Sequence, residues 1–160
     1  MDRVGIGFDS HKYKKGEGLK LGGILIPCQY SFQAHSDGDI IIHSIIDAIL
    51  GALPDVFEYQ NIGSLFPDND PKYLQIDSCL LLNEVLGKIY PWKIHNCDIV
   101  LIMQEPKLGD KVKEVINNLQ KLLKTDLVNV KPKTAENMGL IGKRKGAAAF
   151  CTLTLTKINY

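Results

Sequence analysis

The stretch SDGDIIIHSIIDAILGAL, residues 36–53, decides the fold class of this 160-residue chain. Its many isoleucines favour a strand by local propensity, because β-branched side chains lose rotamer freedom in a helix. Its apolar residues nevertheless recur at helical spacing, and the polar residues 36–39 resemble an N-terminal capping box. The residues at helical spacing are Ile42, Ile45, Ile46, Ile49 and Leu53. We therefore predict a helix from about residue 36 to residue 53.

Strand patterns lie on both sides of this helix. Residues 3–9 alternate apolar side chains with glycine and aspartate, and residues 19–27 place two glycines between short apolar runs, as in a hairpin. Further strands are predicted over 94–103, 127–130 and 148–158, and further helices over 78–89 and 108–123. We predict an α+β fold: a four-stranded mixed sheet with helices packed on one face, plus a small hairpin.

The composition indicates a single domain over residues 1–160 and excludes some function classes. Hydrophobic residues make up 45% of the chain and the net charge is +1, so the basic bias of a nucleic-acid binder is missing. No apolar run is long enough to cross a membrane, and no apolar leader is visible. We predict a cytoplasmic protein, or a plastid-type organelle protein if a targeting peptide was removed. The four cysteines lie far apart and are expected to be free thiols.

The first residues with an evident chemical role follow the first predicted strand. Asp9 and His11 are two apart in an extended segment, so their side chains point to the same side. His43 lies on the apolar helix, where a polar side chain needs a partner. One Asp and two His match a catalytic zinc site with an open fourth position. Asp47, one turn after His43, is placed to accept its second ring N–H or to support the site less directly.

A structural interpretation of the same residues stays open. His43 can be a hydrogen-bonded core histidine, and Asp9 can be a turn residue, because D-x-H is a short and common string. The spacing alone does not choose between the two interpretations.

Several motifs together resemble the signature of the methylerythritol cyclodiphosphate synthase family. They are GIGFDSH at 5–11, AHSDGD at 34–39 followed by His43, FPDND at 66–70, and the stretch 131–146. They occur in the family's order and at near-family spacing over almost the whole chain. The resemblance implies an enzyme of non-mevalonate isoprenoid biosynthesis. Such an enzyme cyclises 4-diphosphocytidyl-2-C-methyl-D-erythritol 2-phosphate to 2-C-methyl-D-erythritol 2,4-cyclodiphosphate and releases CMP.

The resemblance also implies the metal and catalytic residues. Zn²⁺ would be held by Asp9, His11 and His43. Glu136 would help hold a second divalent cation, Mg²⁺ or Mn²⁺, that binds with the substrate. Two further residues, His35 and Thr134, would stabilise the transition state.

The substrate-binding residues and the assembly are implied in the same way. The implied substrate-binding residues are His35, Ser36, Asn61, Ile62, Gly63, Phe66, Pro67, Asp68, Asn69, Asp70, Met103, Gln104, Glu105, Pro106, Lys107, Leu108, Gly109, Lys133, Thr134, Ala135, Glu136, Leu140 and Lys143. In the family, the segment matching 103–109 contacts the cytidine. That segment and the region matching 134–136 come from the neighbouring subunit of a homotrimer, so sites between subunits are expected.

Some positions depart from the family pattern. Asn61 stands where Asp is usual, and Lys133 and Ala135 flank Thr134 where small hydroxyl residues are common. The basic run 143–145 replaces an Arg-Gly-Glu pattern beside an axial cavity, which in the family also involves the position of Phe8 and can hold an isoprenoid diphosphate. The run is either a solvated turn or a basic ring around that diphosphate. The longer segment 53–60 is a candidate lid.

The sequence leaves two alternative functions open. A single-zinc hydrolase acting on a phosphoester or amide would need a general base, and the H-E-x-x-H motif is missing. A non-catalytic trimer that binds isoprenoid diphosphates would have no use for His35, Thr134 and Glu136.

Overall fold

The computed structural model describes residues 1–158, which form a main sheet, a hairpin and several helices. The predicted domain range 1–160 therefore extends two positions beyond the described residues. The strands are β1 (Asp2–Lys15), β2 (Gly18–Leu21), β3 (Ile24–Pro27), β4 (Tyr30–Phe32), β5 (Trp92–Ile102), β6 (Val128–Lys133) and β7 (Gly146–Lys157). The helices are α1 (Ile40–Ala52), α2 (Ile62–Leu65), α3 (Ser78–Leu86), α4 (Lys111–Leu123) and α5 (Gly139–Gly142), with a 3-10 turn at Pro71–Tyr73.

The main sheet has the strand order β4-β1-β7-β5-β6. β6 runs parallel to β5 and the other neighbours are antiparallel, while β2 and β3 form a separate hairpin. The predicted mixed sheet, hairpin and α+β class are confirmed. Within residues 1–158, no helix combines the length and apolarity needed to cross a membrane.

The predicted count of four strands is wrong, because β4 adds a fifth strand to the main sheet of the described chain. β4 has three residues, which is too short to show a periodic pattern. It pairs with the end of β1, where Tyr13 lies opposite Phe32. β1 itself continues through a polar stretch to Lys15, since β4 and β7 supply its hydrogen-bond partners. Pairing between distant segments, and not local propensity, forms this edge.

The predicted helix over 36–53 begins at Ile40, with Asp39 as its N-cap. The fully buried Asp39 carboxylate accepts the N–H of Ile42 and also the N–H groups of Gly22 and Gly23 in the hairpin turn. Burial raises the pKa of Asp39, and these three N–H donors oppose that shift. The cap therefore fixes the start of α1 to the hairpin.

The contact between α1 and β1 is made by glycines. A Cβ atom on Gly5 would lie 1.9 Å from the carbonyl oxygen of Ala48, and one on Gly7 would lie 1.9 Å from that of Ser44. The helix backbone therefore rests directly on the strand. On the opposite face of β1, Ile6 is 68% exposed.

The four cysteines are free, as predicted. Cys97 and Cys151 are buried, whereas Cys28 and Cys79 are half-buried.

Candidate active site

β1 and α1 bring the three predicted metal ligands together. Asp9 and His11 share the face of β1 that carries the glycines, and His43 is on α1. Asp9 Oδ2 lies 3.0 Å from His43 Nδ1 and 3.2 Å from His11 Nε2. One donor atom from each residue lies within 4.8 Å of the other two. Since Asp9 is inside a strand, the interpretation of it as a turn residue is wrong.

This donor set fits a zinc ion. A tetrahedral zinc ion with bonds of about 2.0–2.1 Å to nitrogen and oxygen places neighbouring ligand atoms roughly 3.3 Å apart, close to the two measured distances. His11 Nε2 is buried and has no hydrogen-bond partner among the described residues, because its approach to Asp9 Oδ2 is close in distance but poorly aligned. A buried ring nitrogen without a hydrogen-bond partner, 3.2 Å from a carboxylate oxygen, is suited to bind a metal together with that carboxylate.

Opposing electrostatic effects act on the pair formed by Asp9 and His43. Burial alone would raise the pKa of Asp9, but the contacts with His11 and His43 outweigh it and lower the pKa to about 2. Burial alone would lower the pKa of His43, but Asp9 outweighs it and the net shift is upward. Asp9 is therefore an anion at neutral pH and attracts a cation to this position.

Asp47 does not accept the second ring N–H of His43. Its Oδ2 atom accepts the backbone N–H of Phe8 at 3.2 Å. Both ring nitrogens of His43 have other partners: Nδ1 faces Asp9, and Nε2 lies 2.9 Å from Ser78 Oγ. The side chain of Asp47 is directed to β1, so its support for the site is indirect, through the residue before Asp9.

A cavity of about 590 Å³ adjoins the three candidate metal ligands. Six of the predicted substrate-binding residues line it, namely His35, Ser36, Ile62, Gly63, Phe66 and Asp68. His35 Nε2 is buried without a hydrogen-bond partner among residues 1–158, so this ring nitrogen is available to a ligand. The cavity therefore combines metal donors, a ring nitrogen and an apolar wall.

Several neighbouring predicted residues have local structural roles. Asn61 caps α2, its Oδ1 accepting the N–H of Ser64 at 2.9 Å, and Asp70 caps the 3-10 turn by accepting the N–H of Lys72. The lining of the cavity includes neither Pro67 nor Asn69 among the described residues. Their contact with substrate stays a prediction.

The predicted lid over residues 53–60 is only partly packed. Phe57 is buried, while Tyr59 is 83% exposed. Asp55 forms an ion pair with Arg3, which ties the segment to β1. A lid movement stays a prediction.

The predicted cytidine-binding segment lines a different, smaller cavity of about 230 Å³. The predicted residues that line it are Met103, Pro106, Lys107, Leu108, Gly109, Lys133 and Thr134. Thr134 Oγ1 donates to Glu136 Oε1 at 2.8 Å, so these two residues are in contact. Gln104 accepts the N–H of Asn137, and Glu105 pairs with Arg144. Among the described residues, this cavity shares no lining residue with the first.

A third cavity, of about 970 Å³, lies between the loop around α5 and the strands β1 and β7. Ala135 and Leu140, both predicted to bind substrate, line it together with Phe8. His11 lines this cavity as well as the first one. The remaining predicted residue, Lys143, is exposed and lines none of the three.

The sequence patterns did not identify two groups of residues near the site. Ser78 and Asp37 lie behind His43, and no motif links residue 78 to residue 43. Tyr13 and Tyr30 stack on each other and contact Glu105. Only the polar run around Asp37 carries a signal, since it resembles a capping box and is part of the AHSDGD motif, but neither pattern links Asp37 to His43.

Comparisons with known proteins agree with this geometry. The model of the YgbB family matches residues 2–156. The chain is 43% identical over 159 residues to the 2-C-methyl-D-erythritol 2,4-cyclodiphosphate synthase of Brachyspira hyodysenteriae, covering 97% of this chain and 98% of that protein. It is 42% identical to the bifunctional enzyme IspD/IspF of Campylobacter hominis, where 95% of this chain matches only 40% of that protein. The chain thus spans about two fifths of the length of its bifunctional relatives.

A solved structure has the same fold. The CDP complex of IspF from Plasmodium falciparum superposes with a TM-score of 0.83 at 38% identity, covering 99% of this chain and 97% of that one.

Proposed function

The chain belongs to the YgbB family, and from this premise we propose that it is a 2-C-methyl-D-erythritol 2,4-cyclodiphosphate synthase. It cyclises 4-diphosphocytidyl-2-C-methyl-D-erythritol 2-phosphate and releases CMP, as a phosphorus-oxygen lyase of isoprenoid biosynthesis. The observation that carries the proposal is the cluster of Asp9, His11 and His43 on the wall of a cavity of about 590 Å³ lined by the predicted substrate residues.

The reaction needs positioning more than acid–base chemistry. An oxygen of the 2-phosphate attacks the β-phosphorus of the CDP group, and the bond between that phosphorus and the oxygen bridging to CMP breaks. The attacking oxygen is already anionic, so no strong base is needed. The cavity holds the substrate in a folded shape for in-line attack, and such pre-positioning is worth an effective molarity on the order of 10⁵ M or more.

Different charged and polar groups of the site interact with different phosphate oxygens of the substrate. The ring nitrogen of His35, buried without a partner in the described chain, is available to hydrogen-bond a phosphate oxygen. A zinc ion held by Asp9, His11 and His43 supplies Lewis-acid charge neutralisation when bound. Glu136 helps hold a second cation, Mg²⁺ or Mn²⁺, and its contact with Thr134 keeps both side chains together.

The enzyme is a homotrimer with sites between subunits. Support comes from the separation of the two half-sites: the cytidine cavity and the metal cavity have no lining residue in common within residues 1–158. Further support comes from exposed apolar side chains around the third cavity, with Met138 70% and Leu140 72% exposed. An isoprenoid diphosphate in an axial cavity near Lys143 and a cytoplasmic location are further parts of this proposal.

A phosphorus NMR time course tests the activity. Purified protein is incubated with Zn²⁺, Mg²⁺ and the diphosphocytidyl substrate, and we expect a cyclic diphosphate with equimolar CMP. A linear hydrolysis product would favour a zinc hydrolase. Unchanged substrate at full metal occupancy would favour a protein that only binds isoprenoid diphosphates.

Removal of one of the three proposed zinc-binding side chains tests the metal site. We expect His43→Ala to lose bound zinc and to reduce turnover about 100-fold or more, with the fold retained, because zinc coordination needs the third donor. Zinc content by mass spectrometry and turnover are measured together. His95→Ala, a change at an exposed histidine on β5, is the matched control and should keep both. Full activity of His43→Ala in metal-free buffer would contradict the assignment.

A further inference from the structure

We propose that Ser78 and Asp37 are positioning residues that hold His43 in the tautomer and orientation that metal binding requires. This inference rests on the proposed function, because it concerns the histidine assigned to zinc. Neither side chain lines the cavity beside the metal ligands, so both act through His43.

The two residues form a chain of hydrogen bonds behind the ring. His43 Nε2 lies 2.9 Å from the hydroxyl oxygen of Ser78, which is fully buried at the first position of α3. That hydroxyl makes a short hydrogen bond to Asp37 Oδ1, and the backbone N–H of Ser78 donates to Asp37 Oδ2 at 3.0 Å. The carboxylate of Asp37 therefore holds Ser78 through both its side chain and its backbone.

The direction of the hydrogen bonds follows from the chemistry of the groups. An ionised carboxylate can only accept, so the single hydroxyl hydrogen of Ser78 points to Asp37. The oxygen of Ser78 can then only accept from His43, which requires a hydrogen on Nε2. The position that remains for a metal is Nδ1, which faces Asp9 at 3.0 Å. Ligating histidines commonly have their tautomer fixed by such a partner on the other nitrogen.

Ser36 is a weaker competitor for the same ring N–H. Its oxygen lies 3.2 Å from His43 Nε2 and accepts the N–H of Gly38 at the same distance. Ser36 lines the cavity and is predicted to contact substrate, whereas Ser78 is closer to the ring and backed by a carboxylate. Ser78 is therefore the partner that persists when substrate binds.

Zinc affinity of purified protein, measured by competition with a chromophoric chelator, tests the inference without turnover. We expect Ser78→Ala to weaken Zn²⁺ binding about tenfold or more, the usual cost of removing such a partner. Ser78→Thr keeps the hydroxyl and should bind within a few-fold of wild type. Asp37→Asn keeps the shape of the side chain but removes its charge, so it should weaken Zn²⁺ binding less than Ser78→Ala does.

Ser44→Ala is the matched control. Ser44 is an equally buried serine on α1, and its hydroxyl donates to the carbonyl oxygen of Ile41 at 2.8 Å, away from the ring of His43. We expect its zinc affinity to stay within about twofold of wild type. An equal loss in Ser44→Ala and Ser78→Ala would overturn the inference, because it would reflect only a disturbed core.

A spectroscopic measurement on wild-type protein is independent of how the variants fold. Nitrogen-15 NMR of the zinc-loaded protein should show His43 protonated at Nε2 and bound to metal through Nδ1. The opposite tautomer, or unchanged zinc affinity in Ser78→Ala, would overturn the positioning role alone. Wild-type protein that takes up no zinc would instead overturn the metal site of the proposed function, and the inference with it.

Discussion

On one face of β1, Gly5 and Gly7 lie against the backbone of α1, whereas on the other face Val4 and Ile6 are 66% and 68% exposed. The usual arrangement places the large apolar side chains against the core and the small or polar residues outside. Here the glycines face the core because the helix must approach the strand more closely than any side chain allows. The large apolar side chains of β1 are then left exposed on its other face.

The glycine face sets the geometry of the metal site. Two strand residues advance about 6.8 Å and four helix residues about 6 Å, so the rows stay in register. This register pairs Gly5 with Ala48 and Gly7 with Ser44, and Asp9, the next strand residue on this face, meets His43, the helix residue directly before Ser44. The 3.0 Å contact between Asp9 and His43 therefore depends on the close approach of helix and strand two residues earlier.

The apolar face has the character of an interface. The rings of Phe8 and Phe150 contact each other in a tilted arrangement, 4.7 Å between centroids, and remain 49% and 41% exposed. Contiguous exposed apolar residues of this kind mark association surfaces in soluble proteins. This face continues into the third cavity, which His11 also lines, so the exposed apolar face and the candidate metal site share one strand.

The largest effect is expected from a methyl group on the glycine face. Gly7→Ala would put its Cβ 1.9 Å from a backbone oxygen of α1, which cannot move without shifting the helix. We expect a loss of about 3 kcal/mol or more in the free energy of unfolding, at or above the upper end of overpacking effects, and loss of bound zinc. Urea unfolding at fixed protein concentration and zinc content measure the two. Unchanged zinc binding would show that the close approach does not position His43.

A charge on the apolar face should break assembly and leave the subunit folded. We expect Ile6→Glu to convert the proposed trimer to monomers in sedimentation velocity, because burying several carboxylates at an interface without partners is costly. Turnover should fall about 100-fold or more if sites form between chains. Leu80→Glu, at a leucine on α3 that is 59% exposed, is the control and should remain assembled. An intact assembly in Ile6→Glu would show that this face is not the interface.

Mixed assemblies test whether His11 on β1 and Glu136 of a neighbouring chain belong to one shared site. His11→Ala and Glu136→Ala subunits should each be inactive, and after subunit exchange an equal mixture should recover about a quarter of wild-type activity. Each site between two chains needs an intact His11 from one chain and an intact Glu136 from its neighbour. In an equal mixture each of these conditions is met about half of the time, so about one site in four is complete. Turnover after verified exchange measures this. No recovery would indicate sites within single chains.

Part of this arrangement could be predicted from the sequence. The spacing of Asp9 and His11 and the position of His43 on a helix predicted a shared site, and the structure brings the three together. Alternation along residues 3–9 predicted a strand, but it cannot tell which face turns inward, because that depends on α1, which lies far along the chain. The same limit applies to Ser78, a residue whose role exists only through the contact of α3 with α1.

One error and one choice that the sequence left open have the same physical origin. β4 is a strand because the end of β1 offers it hydrogen-bond partners, and a three-residue segment has no periodicity of its own. Helical spacing allows Asp47 either to accept from His43 or to support the site indirectly, and β1 offers its carboxylate the N–H of Phe8. In both cases a backbone group on a distant segment outweighed the local pattern.

The smallest expected effect comes from replacing a glycine with alanine on the helix side of the contact between α1 and β1. Gly51 is on α1, and a Cβ there would meet only the carbonyl oxygen of Ile6 at 3.6 Å, an ordinary contact. Gly51→Ala should therefore gain up to about 0.5–1 kcal/mol in the free energy of unfolding, since alanine loses less backbone entropy in a helix than glycine. Urea unfolding beside Gly7→Ala checks the sign. Opposite signs would show that glycine is needed where the two backbones touch; destabilisation in both would show that the whole contact between α1 and β1 rejects a side chain.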